Sequence, residues 1–275
     1  MADRPRLAVS NIAWEPSEDA AVVEILRREG VSGIEIAPTK WREKPFDARP
    51  SDLAAYRQLW EDRGLRIVSL QALLFGRPDL QLFASDDSRR RLRDYLRRVI
   101  DFASAVGALA MVFGSPKNRV RGSLPTADAM RIAADFLRDI GVYSAECGTT
   151  MCIEANPVEY GCDFVTTTAE AVALCRAVDH PAVRVNVDLG GMTLSHENVA
   201  TSIADARDVI GHYHASEPNL APIGASSGHA EAGRALAEVG YANWVSIEMR
   251  AAGDNVEAVA GAVARVKEDY GGVLR

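Results

Sequence analysis

The chain has 275 residues, of which 48% are hydrophobic and 25% charged, proportions that exclude a disordered chain and fit a folded globular one. Lys and Arg total 31 against 38 Asp and Glu, and the net charge of −7 weighs against a protein that lives on a nucleic-acid backbone. No apolar run reaches the roughly 18 residues of a membrane span, and the opening residues show no secretory leader pattern. A cytoplasmic protein with neither nucleic-acid nor membrane partner is expected.

Short apolar runs alternate along the chain with segments of helical periodicity. The first strand is expected at Leu7–Ser10, followed by a helix at Glu18–Glu29 with Ser17 as its N-cap and Gly30 as its closing glycine. A strand at Gly33–Ile36 leads to a helix at Asp52–Arg63, closed by Gly64. The strand Ile67–Gln71 precedes a long helix at Ser88–Val106, closed by Gly107. The strands Leu109–Phe113, Met151–Glu154, Val183–Asp188, His212–Ala215 and Val245–Glu248 complete a set of eight. Their helices are expected at Ala127–Cys147, Thr168–Val178, Val199–Val209, Ala230–Val239 and Asn255–Tyr270. Eight right-handed βα units in this length close most naturally into a (β/α)₈ TIM barrel, an α/β fold. Neither GxGxxG after the first strand nor GxxxxGK[ST] occurs, which disfavours a doubly wound nucleotide-binding sheet. With no linker or composition shift, residues 1–275 read as one barrel domain.

In such a barrel the C-terminal ends of the strands form the active face. Glu154 ends MCIE, Asp188 ends VRVNVD, His214 ends HYH and Glu248 ends WVSIE, at separations of 34, 26 and 34 residues. Three carboxylates brought to one rim repel unless a cation joins them. Oxygen-rich ligation with one imidazole suits Mn²⁺ best, with Mg²⁺ or Co²⁺ as alternatives. The four cysteines show neither CxxC nor zinc-finger spacing.

The segments GIEIAP (33–38), CIEAN (152–156), VNVDLGG (185–191), HYHASEPN (212–219) and GYANWVSIEMR (240–250) resemble the xylose-isomerase-like barrel superfamily, nearest to its sugar isomerases and epimerases such as ketose 3-epimerases and hydroxypyruvate isomerase. The resemblance implies one divalent ion on Glu154, Asp188, His214 and Glu248, a sugar-like small-molecule substrate, and a homodimer or homotetramer. It also implies that Glu154 and Glu248 trade a proton across an enediolate, a scheme consistent with metal-assisted carbanion chemistry. Three positions depart from the epimerase pattern. Gly191 stands where a substrate-binding His follows the strand-six Asp. Leu220 replaces the Arg of the strand-seven motif in HASEPNL, which keeps Glu217. Tyr160, beside Glu159, takes the place of an acidic residue six positions after the first Glu. A substrate other than a free ketohexose is expected.

Glu35, Gln71, Ser115, Glu217 and His229 are candidate substrate contacts, with an internal salt bridge the alternative for Glu35 and a water-exposed helix start that for His229. Lys117 and Arg119 suit a phosphate or carboxylate, or else a solvated loop. His196 is a substitute for the missing strand-six His, and His180 is structural. Trp14 and Trp41 either wall a sugar site or pack in the core. RRRLRDYLRR (89–98) has six arginines, but Leu92, Tyr95, Leu96 and Val99 give it a buried face, so the arginines read as a solvated one. The leading function is a metal-dependent isomerase or epimerase. The alternative is an inosose- or dehydroshikimate-type dehydratase on the same scaffold. Five histidines weigh against the histidine-rich, multi-metal abasic-site endonuclease, and four matched ligands weigh against a non-catalytic barrel.

Overall fold

The structure, a computed structural model, describes residues 6–224 and 228–274. Eight parallel strands close in sequence order into a barrel: β1 (Leu7–Ser10), β2 (Gly33–Ile36), β3 (Arg66–Leu70), β4 (Ala110–Phe113), β5 (Thr150–Glu154), β6 (Val183–Asp188), β7 (Ile210–Ser216) and β8 (Val245–Glu248). β1 pairs with β8, so no edge is left open. The helices are α1 (Asp19–Arg28), α2 (Pro50–Asp62), α3 (Asp86–Val106), α4 (Thr126–Glu146), α5 (Thr168–Val178), α6 (Leu189–Leu194), α7 (Val199–Ala206), α8 (Gly228–Glu238) and α9 (Asn255–Asp269). Among the described residues no helix is long and apolar enough to cross a membrane.

The expected strands and eight of these helices are found, with boundary shifts that have local causes. Ser17 does not cap the first helix. It lies inside a 3₁₀ turn, Pro16–Glu18, whose capping box is made by Glu15 and Glu18. α3 begins two residues before the expected Ser88 because Ser85 caps it, accepting the Ser88 N–H at 3.1 Å, while the Ser88 hydroxyl donates to the Gln81 carbonyl. α6 was not expected: Asp188 caps this short helix through the Gly191 N–H at 2.6 Å. Gly30, Gly64 and Gly107 follow their helices with φ of 71°, 79° and 86°, the left-handed exit glycine allows.

The apolar shell between strands and helices is continuous, and α3 contributes Leu92, Leu96, Val99 and Ile100, all buried, while Tyr95 is only partly buried. Its arginines pair with acids rather than forming a free basic stripe: Arg90 and Arg91 with Asp87, Arg93 and Arg97 with Asp139, Arg98 with Asp47. Trp14 is buried, its indole N–H donating to Asp19, and Trp41 stacks on Tyr56 with ring centroids 4.3 Å apart. Core packing is therefore the outcome for both tryptophans. All four cysteines are free thiols, three of them buried.

Candidate metal centre and its cavity

The parallel register sets Asp188 opposite His214, with Glu154 opposite Asn186, two residues before Asp188, and Glu248 opposite Ser216, two residues after His214, so the four stand on the same strand faces near one rim. Ligand atoms of Glu154, Asp188, His214 and Glu248 all lie within 4.8 Å of one another. His214 Nδ1 is 3.1 Å from a Glu248 oxygen, 3.3 Å from Glu154 and 4.0 Å from Asp188. Two donors each about 2.1 Å from one octahedral ion stand about 3 Å apart, so these separations fit a divalent cation bound by hard oxygens and one imidazole.

The electrostatics carry the same message. Burial, then the charges of Glu154 and Glu248, push the Asp188 carboxyl up to about 7. Burial also raises Glu248, with His214 opposing and Glu154 adding to the rise. Burial works against a charged His214, yet Glu248, Glu35 and Glu154 hold it well above the usual histidine range. The metal-free cluster thus retains protons on groups that a cation would require deprotonated.

Neighbouring side chains fix the cluster. Asn186 donates to Glu154 Oε1 at 2.7 Å, Asn156 donates to Glu154 Oε2 at 3.3 Å, and the Ser216 hydroxyl donates to Asp188. Beneath His214 lies a second buried group of Glu35, His212 and His214. Glu35 accepts from Ser69 at 2.7 Å, His212 at 2.9 Å, His214 at 3.1 Å and Gln71 at 3.2 Å. Burial resists ionisation of Glu35, but the His214 charge and the bonds from both histidines outweigh it and hold the carboxyl well below its usual range. A carboxylate already taking four donors is better occupied as the orienter of His214 than as a ligand of a second ion. Its bond at Nε2 leaves Nδ1 facing the three acids.

Room for Glu154 comes from Gly114, at the end of β4. A Cβ there would clash with Glu154 Oε2. Gly114→Ala is expected to displace the carboxylate and weaken Mn²⁺ binding by about 10-fold or more, a loss in the range seen when a ligand's support is disturbed. Calorimetric titration of stripped protein checks it, and unchanged affinity would show that Glu154 has another rotamer available.

The four residues border a cavity of about 340 Å³ through Glu154, Asp188 and Glu248, whose remaining lining includes Asn156, Tyr160, Asn219, Leu220 and Arg250. A larger cavity of about 670 Å³ lies elsewhere, between Phe46, Phe75, Tyr95 and Arg98, and contains no member of the carboxylate–histidine groups.

The other candidates fall in different places. Glu35 and Gln71 are buried below the cavity rather than lining it, and Gln71 also donates to Ser10 at 2.7 Å. The internal alternative for Glu35 is the one the structure shows. Ser115 lines a separate hollow with Ala72 and Pro116 and has a left-handed backbone at φ 44°. Glu217 and His229 form their own cluster: His229 is fully buried, 3.3 Å from the partly buried Glu217 and 3.0 Å from the Tyr270 hydroxyl, so it is not a water-exposed helix start. Lys117 is an exposed loop residue, whereas Arg119 is fully buried and donates to the Glu154 carbonyl at 2.5 Å. His196 is exposed on a left-handed turn, and His180 accepts the Ala182 N–H at 3.2 Å, a structural role. Tyr160 lines the cavity, and Glu159 is exposed beside it.

Sequence reasoning missed His212, Asn186, Asn219 and Arg250. Strand alternation carries a signal for the first two, because His212 and Asn186 stand two residues before His214 and Asp188 and share their faces. Arg250 and Asn219 sit on loops, where no such periodicity exists.

The sequence model of the xylose isomerase-like TIM barrel family matches residues 23–268, and the chain belongs to that family. A D-psicose 3-epimerase of Ruminiclostridium cellulolyticum is 29% identical over 118 residues, a match spanning 42% of this chain and only 40% of the epimerase. A candidate hydroxypyruvate isomerase of Mus musculus is 23% identical over 267 residues, 91% of each chain. The crystal structure of a D-psicose 3-epimerase with D-tagatose from Clostridium cellulolyticum H10 superposes with a TM-score of 0.79 at 16% identity, covering 98% of this chain and 99% of that one.

Proposed function

We propose that this chain is a divalent-metal-dependent isomerase or epimerase of a small sugar-like carbonyl compound. The observation that carries this reading is the convergence of Glu154, Asp188, His214 and Glu248 within 4.8 Å of one another, the three acids lining a cavity of about 340 Å³, the size of a small-molecule site. The sugar epimerase and isomerase relatives support the same class of chemistry. Glu154, Asp188, His214 and Glu248 would hold the ion, which when bound stabilises negative charge developing on substrate oxygen.

The chain's own part is proton movement. One of Glu154 and Glu248 accepts the C–H proton α to the carbonyl, and the bonding pair moves to the carbonyl oxygen to give an enediolate. The other carboxyl returns a proton, to the opposite face of the same carbon in an epimerase, or to the former carbonyl carbon in an isomerase, where the neighbouring hydroxyl proton passes to the former carbonyl oxygen as the new carbonyl forms. Glu154 is held in place by Asn186 and Asn156, whereas among the described residues Glu248 is held by His214 alone. Glu248 therefore has the freer carboxyl for transfer.

Calorimetric titration of chelator-stripped protein with Mn²⁺ is expected to give one ion per chain, with binding lost in Glu154→Gln. Affinity should rise with pH up to about 7, because the ion must displace the proton held by Asp188. The same shift makes the stripped protein less stable as pH climbs from about 4, where a free aspartate ionises, towards about 7, where Asp188 does. Above that window a buried anion faces Glu154 and Glu248, and added Mn²⁺ should restore the lost thermal stability. A pH-independent affinity, or no binding at all, would contradict the proposed centre. With the ion bound, solvent deuterium should enter substrate without change of its carbon skeleton; a product lighter by one water would instead identify a dehydratase.

A further inference from the structure

We propose that the substrate of this site is an anion, carrying a carboxylate or phosphate that Arg250 receives. The inference rests on the metal-dependent reading above and adds the substrate's charge. Among the described residues Arg250 is the only cationic side chain lining the cavity, which it shares with Glu154, Asp188 and Glu248. It lies two residues beyond the end of β8 and is solvent-exposed, whereas Glu248 is only 8% exposed, so the guanidinium stands outside the carboxylates towards the mouth.

Its side-chain donors are unused among the described residues. The arginine forms no side-chain ion pair or hydrogen bond among the described residues, although three acids share its cavity; its one bond is from its backbone N–H to the Leu220 carbonyl at 2.9 Å. Most other arginines of this chain are committed to nearby acids, as on α3. Tyr160 adds a second free donor. Its hydroxyl accepts the Asn219 N–H at 2.9 Å, which leaves its own O–H to point at a ligand.

The β7 loop that binds both groups is held in a conformation that is uncommon for its residues. Asn219 and Leu220 both have left-handed backbones, φ 59° and 56°, without a glycine. Bonds to Tyr160, Glu217 and Arg250 impose that shape, the kind of over-determined strain found at ligand-binding positions. Charge balance gives the functional reason. Three carboxylates with one divalent ion leave a single negative charge at the wall, on a chain whose net charge is −7. An anionic substrate would be repelled there without a cation, and a planar guanidinium with two parallel donors matches a carboxylate or phosphate.

The test is calorimetric binding of D-glycerate, glycerol 3-phosphate and glycerol to Mn²⁺-loaded wild type, Arg250→Met and Arg250→Lys. One or both anions should bind wild type at least 10-fold tighter than glycerol does. Arg250→Met should weaken that anion 10- to 100-fold, with partial recovery in Arg250→Lys and glycerol unaffected. Preference for glycerate marks a carboxylate substrate, and preference for glycerol 3-phosphate a phosphorylated one. Equal affinity of an anion for wild type and Arg250→Met, or no anion binding to the Mn²⁺-loaded protein, overturns the inference. Mn²⁺ titration of the same variants separates the two readings: Arg250→Met should bind the metal as wild type does, and a wild type that binds no Mn²⁺ removes the metal reading and this inference with it.

Discussion

Glu248→Gln is expected to slow deuterium exchange into substrate by about 10²- to 10⁴-fold, the usual worth of a positioned acid–base group. Gln keeps the volume of Glu248 and an oxygen that faces His214 Nδ1, 3.1 Å away in the native arrangement, so the barrel should fold and its thermal midpoint should move little. What the amide cannot do is accept or return a proton. Exchange followed by proton NMR in D₂O, with Mn²⁺ affinity measured on the same sample, distinguishes the two roles assigned to this residue. A large fall in exchange with retained metal binding supports proton transfer by Glu248. Unchanged exchange would remove Glu248 from the acid–base pair, and a fall that tracks metal loss alone would leave it only as a ligand.

Glu35→Ala is expected to have the largest effect on stability. The carboxylate is fully buried and accepts from Ser69, Gln71, His212 and His214, so its removal strands four donors in the barrel interior. Breaking a buried charged network costs about 3–5 kcal/mol, which for a chain of this size lowers the thermal midpoint by roughly 10 °C. His214 would also lose the bond that keeps its Nδ1 turned towards the acids, and Mn²⁺ affinity should fall about 10- to 100-fold. Glu35→Gln separates packing from charge: it fills the space but sets an amide NH₂ near two imidazole N–H groups. It should recover part of the stability and less of the affinity. If the alanine variant binds Mn²⁺ as wild type does, Glu35 is a packing residue only.

The order of strands and helices, and four polar residues at or near the ends of β5 to β8, are legible in the residues alone. Both follow from local chemistry. Apolar runs bounded by turn residues mark the strands, and the polar residue that ends each run in a parallel barrel is carried to the same rim. So is the departure of Leu220 and Gly191 from the epimerase pattern, since that requires only the motifs. What each polar residue faces depends on how distant strands and loops pack. Glu35 is the one acid in GIEI, as Glu154 is in MCIE, but it stands one residue before the end of β2 and lies below the rim, where β7 supplies two histidines from the far side of the barrel. Strand stagger and the register shifts at Ile34/Glu35 and Val185/Asn186 set that depth, and neither is written in a hydrophobic period. Glu217 meets His229 instead of the cavity for a similar reason: His229 in turn bonds Tyr270 at the end of α9, far along the chain. Arg250 enters the cavity because a backbone bond ties it to Leu220, in a loop 30 residues earlier. Long-range bonds of this kind fix the direction of a loop side chain, and residue type alone does not.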